Sequence, residues 1–450
     1  MNVSRDQEVL DTMRGIIDPD LGKDIVTLGF IKNLTITDAG AVSFMVELTT
    51  PACPVKEQFR DSCTQAVTAL PWVTGVTVTM GAQPHRGGGA MSQSGPGLAN
   101  VKHVVAVASC KGGVGKSTVA VNLAYALAAQ GARIGIFDAD IYGPSLPTMV
   151  KAPFDGLFQN QQGMILPVMQ DGVKLMSFAY ANPKVGAPAV MRGPMVTSVV
   201  NQLLTSTDWG ALDYLIIDMP PGTGDIQLTL SQIIPITAAV MVTTPQEISF
   251  VDVVKGIKMF DMMKVPTVAV VENMSYFLCG KCGEKHRLFG EGAMRRIVEQ
   301  FGIRNAIELP LDPAVAEHCD NGTPMVAALP DSPVSLGYRE LAGAVAREIS
   351  KLLYAAAVKP MLRFDGKQLL YAPGDGTEFK LPPATLRRRC RCASCINEMT
   401  GEKTLRDENI PDTIIPNEIG PLGNYAATVA WSDGHSSIFP YDMLAKIVAE

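Results

Sequence analysis

Short apolar runs alternate with helix-like segments through the middle of the chain. Six of these runs are predicted strands: His103–Ser109, Arg133–Asp138, Tyr214–Asp218, Ala238–Thr244, Thr267–Glu272 and Ala306–Leu309. Strands that are apolar on both faces and are joined by helices are typical of a parallel sheet with helices on both sides. The pattern therefore predicts an α/β fold with a doubly wound, mostly parallel sheet at its centre.

The two ends of the chain have different patterns. The front part predicts a small α+β domain with helices at Gln7–Gly15 and Val55–Leu70 and strands at Ala41–Thr50 and Gly75–Met80. The last part predicts a small β-rich, metal-binding domain of short strands and turns around a cysteine cluster. The stretch RGGGAMSQSGPGLAN has no apolar period and is expected to be a flexible linker. The expected segments are 1–85, the linker 86–100, the α/β domain 101–358 and the last domain 359–450.

Composition and charge exclude several classes of function. Of 450 residues, 47% are hydrophobic and 18% are charged, which indicates a globular protein. The net charge of −6 argues against binding to nucleic acid. The long uncharged stretch Ile226–Gln246 contains Pro235 and predicts a buried helix and a strand, so no membrane insertion is expected. Nine scattered cysteines indicate a reducing compartment, and MNVSRDQEVL has no signal-peptide or transit-peptide pattern.

A glycine-rich loop, CKGGVGKST, stands between a predicted strand and a predicted helix. In such a loop the backbone N–H groups surround phosphate at the positive end of the helix. Lys116 is expected to reach the outer phosphates of ATP and Ser117 to ligate Mg²⁺. The alternative is a glycine turn without a ligand. The expected nucleotide-binding set is Gly112, Gly113, Val114, Gly115, Lys116, Ser117 and Thr118.

Acidic residues end two of the predicted strands. Asp138 ends one strand, with Asp140 two residues further on, and Asp218 ends another. Carboxylates at the carboxyl ends of neighbouring parallel strands can hold Mg²⁺ and orient a water molecule. The alternative is a role as caps or turn residues. With the glycine loop, these acids predict an ATP hydrolase.

Five motifs together, KGGVGKST, DADIYGPS, MRGP, DMPPGTGD and VVENM, resemble the Mrp/ApbC branch of the deviant-loop ATPases, which carry iron–sulfur clusters. The resemblance implies that Lys111 reaches across a homodimer to the partner's ATP. It further implies that Asp140 orients the attacking water, that Asp218 supports Mg²⁺, and that Asn273 contacts adenine. Hydrolysis is expected to be slow.

The front domain, with DPDLGKDIVTLGFIKNL and ELTTPACPVKEQF, resembles the small domain that is fused to such carriers. This resemblance marks Cys53 as a candidate thiol for cluster hand-over, although the residue pattern alone favours a buried small residue. The order of the three domains is similar to plastid scaffold proteins that serve [4Fe–4S] targets such as photosystem I. It implies the plastid stroma as the compartment, with the targeting segment removed, and otherwise the cytoplasm.

Cys279 and Cys282 follow a predicted strand and form a Cys-x-x-Cys pair. Two thiolates are half of a metal or cluster site, and a homodimer would supply the other two. The resemblance implies the same, with a [4Fe–4S] cluster bridging the protomers. A zinc knuckle with His286 as third ligand and a redox dithiol are the alternatives.

The tail contains Cys390, Cys392 and Cys395, with His435 forty residues further on. Three thiols and one imidazole make the ligand set of a structural Zn²⁺ site. The pattern resembles a small domain at the N-terminus of a carnitine-biosynthesis oxygenase, where such a set holds zinc. An accessory cluster and the absence of a metal are the alternatives.

Two other groups of residues have plain structural explanations. Met259, Met262 and Met263 lie at helical spacing and are predicted to pack in the core. A run of arginines is predicted to form a solvated face, with docking of an acidic acceptor protein as the alternative; it consists of Arg387, Arg388, Arg389 and Arg391.

These patterns together predict an ATP-dependent scaffold or carrier that binds a [4Fe–4S] cluster and transfers it to apoproteins. Its expected cofactors are ATP, Mg²⁺, the cluster and Zn²⁺. Its expected partners are a second copy of the chain, upstream cluster donors and apo acceptor proteins. A zinc-bearing adaptor that uses ATP as a clamp is one alternative. A positioning ATPase of the cell-division or partition type is the other.

Overall fold

The computed structural model describes most of the chain. The described residues are 4–48, 50–52, 55–82, 95–154, 156–181, 193–222, 225–291, 293–354, 360–374, 377–392, 394–396, 402–422 and 426–449.

The front part of the chain is a three-stranded sheet packed against two helices. Its core joins Val9 and Met13 of the first helix to Phe44 and Val46 of the middle strand. The first two strands are antiparallel and the second and third are parallel. The predicted α+β domain is thus confirmed. Its elements are α1 Arg5–Met13, β1 Ile31–Ile36, β2 Ala41–Leu48, α2 Lys56–Thr68 and β3 Gly75–Ala82.

The middle of the chain forms one large sheet. Its strands are β4 Val101–Ala108, β5 Ile134–Asp138, β6 Val168–Gln170, β7 Val173–Ser177, β8 Leu212–Asp218, β9 Ala238–Thr243, β10 Thr267–Leu278, β11 Lys285–His286 and β12 Ala306–Pro310. Parallel pairs join them in the order β7-β5-β8-β4-β9-β10-β12, and β6 and β11 add antiparallel edges. The doubly wound, mostly parallel sheet is therefore confirmed.

Helices cover both faces of this sheet. They are α3 Lys116–Ala129, α4 Leu146–Met149, α5 Phe178–Ala181, α6 Gly193–Ser206, α7 Asp225–Ile233, α8 Glu247–Met262, α9 Ala293–Phe301, α10 Pro313–Asp320, α11 Met325–Ala328 and α12 Pro333–Tyr354. Strand β4 shows why the strands are apolar throughout: Val105 and Val107 face the core under α3 and α12, whereas Val104 and Ala106 face the core under α6 and α8. None of the helices in the described part of the chain combines the length with the apolar character that a membrane span requires.

The last part of the chain contains two three-stranded antiparallel sheets. Their shared core includes Trp431 and Phe439, whose rings pack edge to face. This arrangement confirms the predicted small β-rich domain. The elements are β13 Met361–Phe364, β14 Leu369–Ala372, β15 Phe379–Leu381, α13 Pro383–Arg388, β16 Pro416–Leu422, β17 Ala426–Trp431, β18 Ser436–Pro440 and α14 Tyr441–Ala449.

Both small domains contact the central one. In the front domain, the Tyr214 hydroxyl donates to Thr50 Oγ1 at 2.6 Å, and Ala52 is fully buried in the core under α3. In the tail, Arg304 forms an ion pair with Asp442. The end of the expected linker is also packed: residues 96–98 form a turn of 3₁₀ helix with Leu98 buried. The apolar Leu98 explains this difference from the predicted flexible segment.

Candidate functional site

The phosphate loop lies between β4 and α3, at the carboxyl edge of the sheet. Gly113 and Gly115 have φ values of 79° and 83°, a region that favours glycine. A side chain at Gly115 would overlap the Asn273 amide. The loop is therefore shaped by its glycines so that the backbone can approach phosphate closely.

Lys116 and Asp218 form a buried ion pair at the centre of this site. The Lys116 ammonium also lies 3.3 Å from Ser117 Oγ. Burial raises the pKa of the Asp218 carboxyl, and the Lys116 charge opposes that effect. The structure thus brings together the predicted phosphate lysine, the predicted Mg²⁺ hydroxyl and one predicted carboxylate. This donor set of hydroxyl and carboxylate oxygens fits Mg²⁺.

Asp138 lies beside Asp218, because the two residues are register partners on β5 and β8. Burial and then the Asp218 charge raise the pKa of Asp138 to about 7. Its oxygens accept hydrogen bonds from the backbone N–H groups of Asp140, Ser145 and Leu146 and from the Ser177 hydroxyl. Asp138 therefore holds the loop that presents Asp140 beside the nucleotide site.

Lys111, the additional lysine of the loop, lies 3.4 Å from Asp252 on α8. Asp252 also pairs with Lys255 at 3.1 Å. Burial raises the pKa of the adjacent Cys110 to about 11, and its sulfur packs close to Gly256 of the same helix. The loop motif does not indicate Asp252, because Asp252 lies on a helix that comes more than a hundred residues later in the chain.

Asn273 on β10 has a structural contact that sequence reasoning missed. Its amide donates to the Val114 carbonyl of the phosphate loop at 2.9 Å, and the residue is buried. It therefore supports the loop from the neighbouring strand. The predicted contact of Asn273 with adenine stays a prediction.

The Cys279–Cys282 pair lies on a hairpin between β10 and β11. The Cys279 N–H donates to the Glu284 carbonyl, and the Gly283 N–H donates to the Cys279 carbonyl. The backbone N–H groups of Cys282 and Lys281 point at the Cys279 sulfur and lower its pKa. Such N–H groups favour the thiolate, which is the form that binds metals. Cys282 is exposed.

Within the residues that the structure describes, no third metal ligand groups with this cysteine pair. His286, the candidate third ligand, is exposed and lies 3.9 Å from Glu284. One protomer thus offers two cysteine sulfurs on an exposed hairpin, which is half the number of ligands in a four-thiolate site.

A network of charges that sequence reasoning missed anchors this hairpin to the sheet edge. Arg287 donates to both carboxylate oxygens of Glu308 on β12, at 2.9 and 3.1 Å, and to Ser275. Lys285 pairs with the same Glu308 and stacks on the Tyr276 ring. The network fixes the cysteines relative to β10, the strand that also contacts the phosphate loop.

The predicted Cys₃His set comes together in the tail. The distances from His435 Nε2 to the sulfurs of Cys390, Cys392 and Cys395 are 3.4, 3.4 and 3.6 Å. Tetrahedral zinc with ordinary Zn–S and Zn–N bond lengths requires an S···N separation of about 3.5 Å. All four ligand atoms lie within 4.8 Å of one another. The donor set therefore fits Zn²⁺.

The arginine run near this set forms the predicted solvated face only in part: Arg389 and Arg391 are exposed, whereas Arg387 is buried and Arg388 is half-buried. Arg387 is buried, donates to Asp433 at 2.9 Å and lies 3.6 Å from the Cys395 sulfur. Arg388 donates to the Ile410 carbonyl and to Asp412. Neighbouring arginines differ in their surroundings because successive side chains of a helix such as α13 point in directions about 100° apart.

Met262 also departs from its prediction. Met259 and Met263 pack against the core as expected, but Met262 is 85% exposed at the end of α8. The predicted cluster hand-over residue, Cys53, lies outside the described residues.

Comparison with known proteins supports the same three-part organisation. Residues 100–346 match the NUBPL iron-transfer P-loop NTPase family. Residues 6–79 match the iron–sulfur cluster assembly protein family, and residues 362–445 match the gamma-butyrobetaine hydroxylase-like N-terminal family.

Individual relatives agree with these matches. The chain is 50% identical over 448 residues to the chloroplastic Fe-S cluster assembly factor HCF101 of Arabidopsis thaliana, covering 98% of this chain and 82% of the relative. It is 41% identical over 342 residues to an iron-sulfur cluster carrier protein of Deinococcus radiodurans, covering 76% and 95%. A solved nucleotide-binding protein of Archaeoglobus fulgidus, in complex with ADP, is 35% identical with a TM-score of 0.45, covering 53% and 92%. The chain belongs to the HCF101-like Fe-S cluster assembly factors of the Mrp-type P-loop NTPases.

Proposed function

We propose that this protein is an ATP-dependent scaffold in which two protomers hold one [4Fe–4S] cluster between their Cys279–Cys282 pairs and pass it to apoproteins. The observation that carries this proposal is the hairpin after β10: it presents two thiols, one of them with a lowered pKa, and Arg287 ties it to Glu308. Two ligands per protomer account for a four-thiolate cluster only in a dimer.

Strand β10 supports a link between nucleotide and cluster. Asn273 contacts the phosphate loop, and the cysteine hairpin begins at the end of the same strand. ATP and Mg²⁺, held by Lys116, Ser117 and Asp218, would favour one arrangement of the two protomers, and slow hydrolysis would favour the other. In this scheme Lys111 reaches the partner's nucleotide and Asp140 orients the attacking water.

The remaining parts follow from the same proposal. Zn²⁺ in the Cys₃His set stabilises the tail domain, and the domains have the bounds 1–85, 101–358 and 359–450 with a linker between the first two. The acceptors are apo iron–sulfur proteins of the photosystem I type, and Cys53 takes part in hand-over. The compartment is the plastid stroma, as the names of the chloroplastic relatives support.

The test is anaerobic reconstitution with iron and sulfide, followed by metal analysis and sizing. We expect about four irons per dimer and one zinc per chain. Cys279→Ser/Cys282→Ser should lose the iron and keep the zinc. The matched control, Lys281→Ala/Glu284→Ala, changes the same hairpin but leaves both thiols and should keep the cluster. Zinc at both cysteine sets without iron would replace this proposal with the adaptor alternative.

A further inference from the structure

A groove runs along the seam between the central domain and the tail. Its larger part is a cavity of about 890 Å³, with α8 on one side and sheet β16–β18 on the other. Its smaller part is a cavity of about 300 Å³ between α9 and α14. The two cavities share Arg391, Pro440 and Met443 in their walls, so they are neighbouring parts of one groove. We call it the seam groove.

The smaller end of the seam groove is strongly basic. Among the described residues that line it, four are cations and one is a carboxylate, Asp442, which pairs with Arg304. All four of these residues are exposed. The cations are Arg304, Arg389, Arg391 and Lys446.

This concentration of cations contrasts with the whole chain, whose net charge is −6. A concave wall with one sign of charge concentrates its field, and it attracts groups of opposite charge by electrostatic steering. The arginines add planar, bidentate recognition, which suits carboxylates.

The groove also has apolar walls, which distinguish it from a simple anion site. Val298, Met443 and Ile447 line the basic end, and the exposed Met262 lines the larger end. Methionine at a binding surface can adapt to different apolar side chains. The groove therefore suits a chain segment that combines carboxylates with apolar residues.

We propose that the seam groove binds an acidic, partly apolar segment of a protein partner. The proposal rests on the proposed function in one respect, since the partner would be a protein that gives or receives the cluster. Arg389 and Arg391 pair with carboxylates of the segment, and Met262 and Met443 contact its apolar side chains. The segment passes the exposed side of the Cys₃His set, where Cys392 and His435 line the groove.

Helix α8 contacts both the seam groove and the nucleotide site. Lys258, Asp261 and Met262 at its end line the groove, and Asp252 near its start pairs with Lys111. A partner in the groove would therefore contact the helix that also holds a residue of the phosphate loop.

The test measures binding of a short, fluorescently labelled peptide of alternating glutamate and leucine to the full-length chain by anisotropy. Arg389→Glu/Arg391→Glu should weaken binding at least about 10-fold, because each substitution replaces attraction with repulsion. Lys367→Glu/Lys380→Glu, two exposed lysines of the same domain outside the groove, changes the net charge equally and should leave affinity within about 2-fold. A peptide of alternating lysine and leucine should bind the groove variant more tightly than the wild type.

Several outcomes would overturn the proposal. They are no peptide binding by the wild type, equal weakening in both double variants, and binding of a single-stranded RNA as tight as that of the peptide. Displacement of the peptide by inorganic phosphate at equal charge concentration would reduce the groove to a general anion site. The melting temperature and the zinc content of each variant verify that it is folded. If Arg389→Glu/Arg391→Glu does not fold, Arg389→Ala/Arg391→Ala replaces it in the binding assay. Iron content, measured separately, shows whether the cluster proposal fails independently, because the peptide assay needs no cluster.

Discussion

Charged residues of the same type lie in different surroundings in this molecule, some buried and some exposed. Lys116 and Asp218 are both buried and form one unit in the nucleotide site, whereas Arg391 is exposed beside a groove. Arg387, four positions earlier, is buried against a cysteine ligand. Residues of one type in one run thus have different functions, because the backbone directs them into different surroundings.

Arg387→Met should weaken zinc binding by the Cys₃His set about 10-fold to 100-fold, the usual cost of removing an outer partner of a metal ligand. The loss removes the cation beside Cys395 and leaves Asp433 without its arginine. Competition with a chelator measures the affinity. Arg388→Met, which changes a neighbouring arginine that does not contact the sulfurs, is the control. Equal affinity in wild type and Arg387→Met would show that Arg387 only fills space.

Asp213 makes a pH-dependent contribution to the free energy of unfolding. Burial alone would raise its pKa, but hydrogen bonds from Arg133 and Lys102 lower it from 3.8 to about 2. A lowered pKa in the folded state stabilises the protein above the unfolded value, and the effect is lost as pH falls through the folded one. Asp213→Asn should therefore cost about 2 kcal/mol at neutral pH. Thermal unfolding at a series of pH values should show the two proteins converging as the pH falls from 3.8 towards about 2.

The sequence predicted the main elements of secondary structure but not the contacts between elements that are distant in the chain. Apolar runs predicted the central strands, and the spacing of CKGGVGKST placed the phosphate loop between β4 and α3. Contacts between distant elements were not predictable, because Arg287 follows β11 and meets Glu308 of β12 only since both strands pair with β10. For the same reason the exposed position of Met262, which depends on how α8 packs, was predicted wrongly.

Arg287→Met tests whether the ion-pair network fixes the cysteine hairpin. Without Arg287, the hairpin loses its bidentate contact with Glu308 and its contact with Ser275. Backbone amides of residues 279–286 should then exchange with solvent about 10-fold faster, since local opening costs less free energy. Hydrogen exchange with mass spectrometry measures the rate. Glu291→Gln, which removes only an exposed partner of Arg287, should leave it unchanged, and an unchanged rate in Arg287→Met would contradict the anchoring role.

At the scale of the whole molecule, the two small domains contact different parts of the central one. The front domain meets Tyr214 near the start of β8, whereas Asp218 at the end of that strand lies in the nucleotide site. The tail meets α8 and α9 along the seam groove. The front domain is therefore attached near the edge of the sheet opposite to the phosphate loop.

The buried hydrogen bond between Tyr214 and Thr50 should stabilise this attachment. Tyr214→Phe and Thr50→Val each remove one partner, and a double-mutant cycle should give a coupling free energy of about 1 kcal/mol, typical of one buried hydrogen bond. The ion pairs of Asp20 with Arg347 and Lys351, at 3.9 and 3.7 Å, are partly exposed and should contribute less. Tyr125→Phe, whose hydroxyl contacts Gln170 within the central domain, is the control and should show no coupling to Thr50→Val. Thermal unfolding supplies the four free energies, and a coupling near zero for Tyr214 would mean that apolar burial around Ala52, and not this hydrogen bond, holds the front domain.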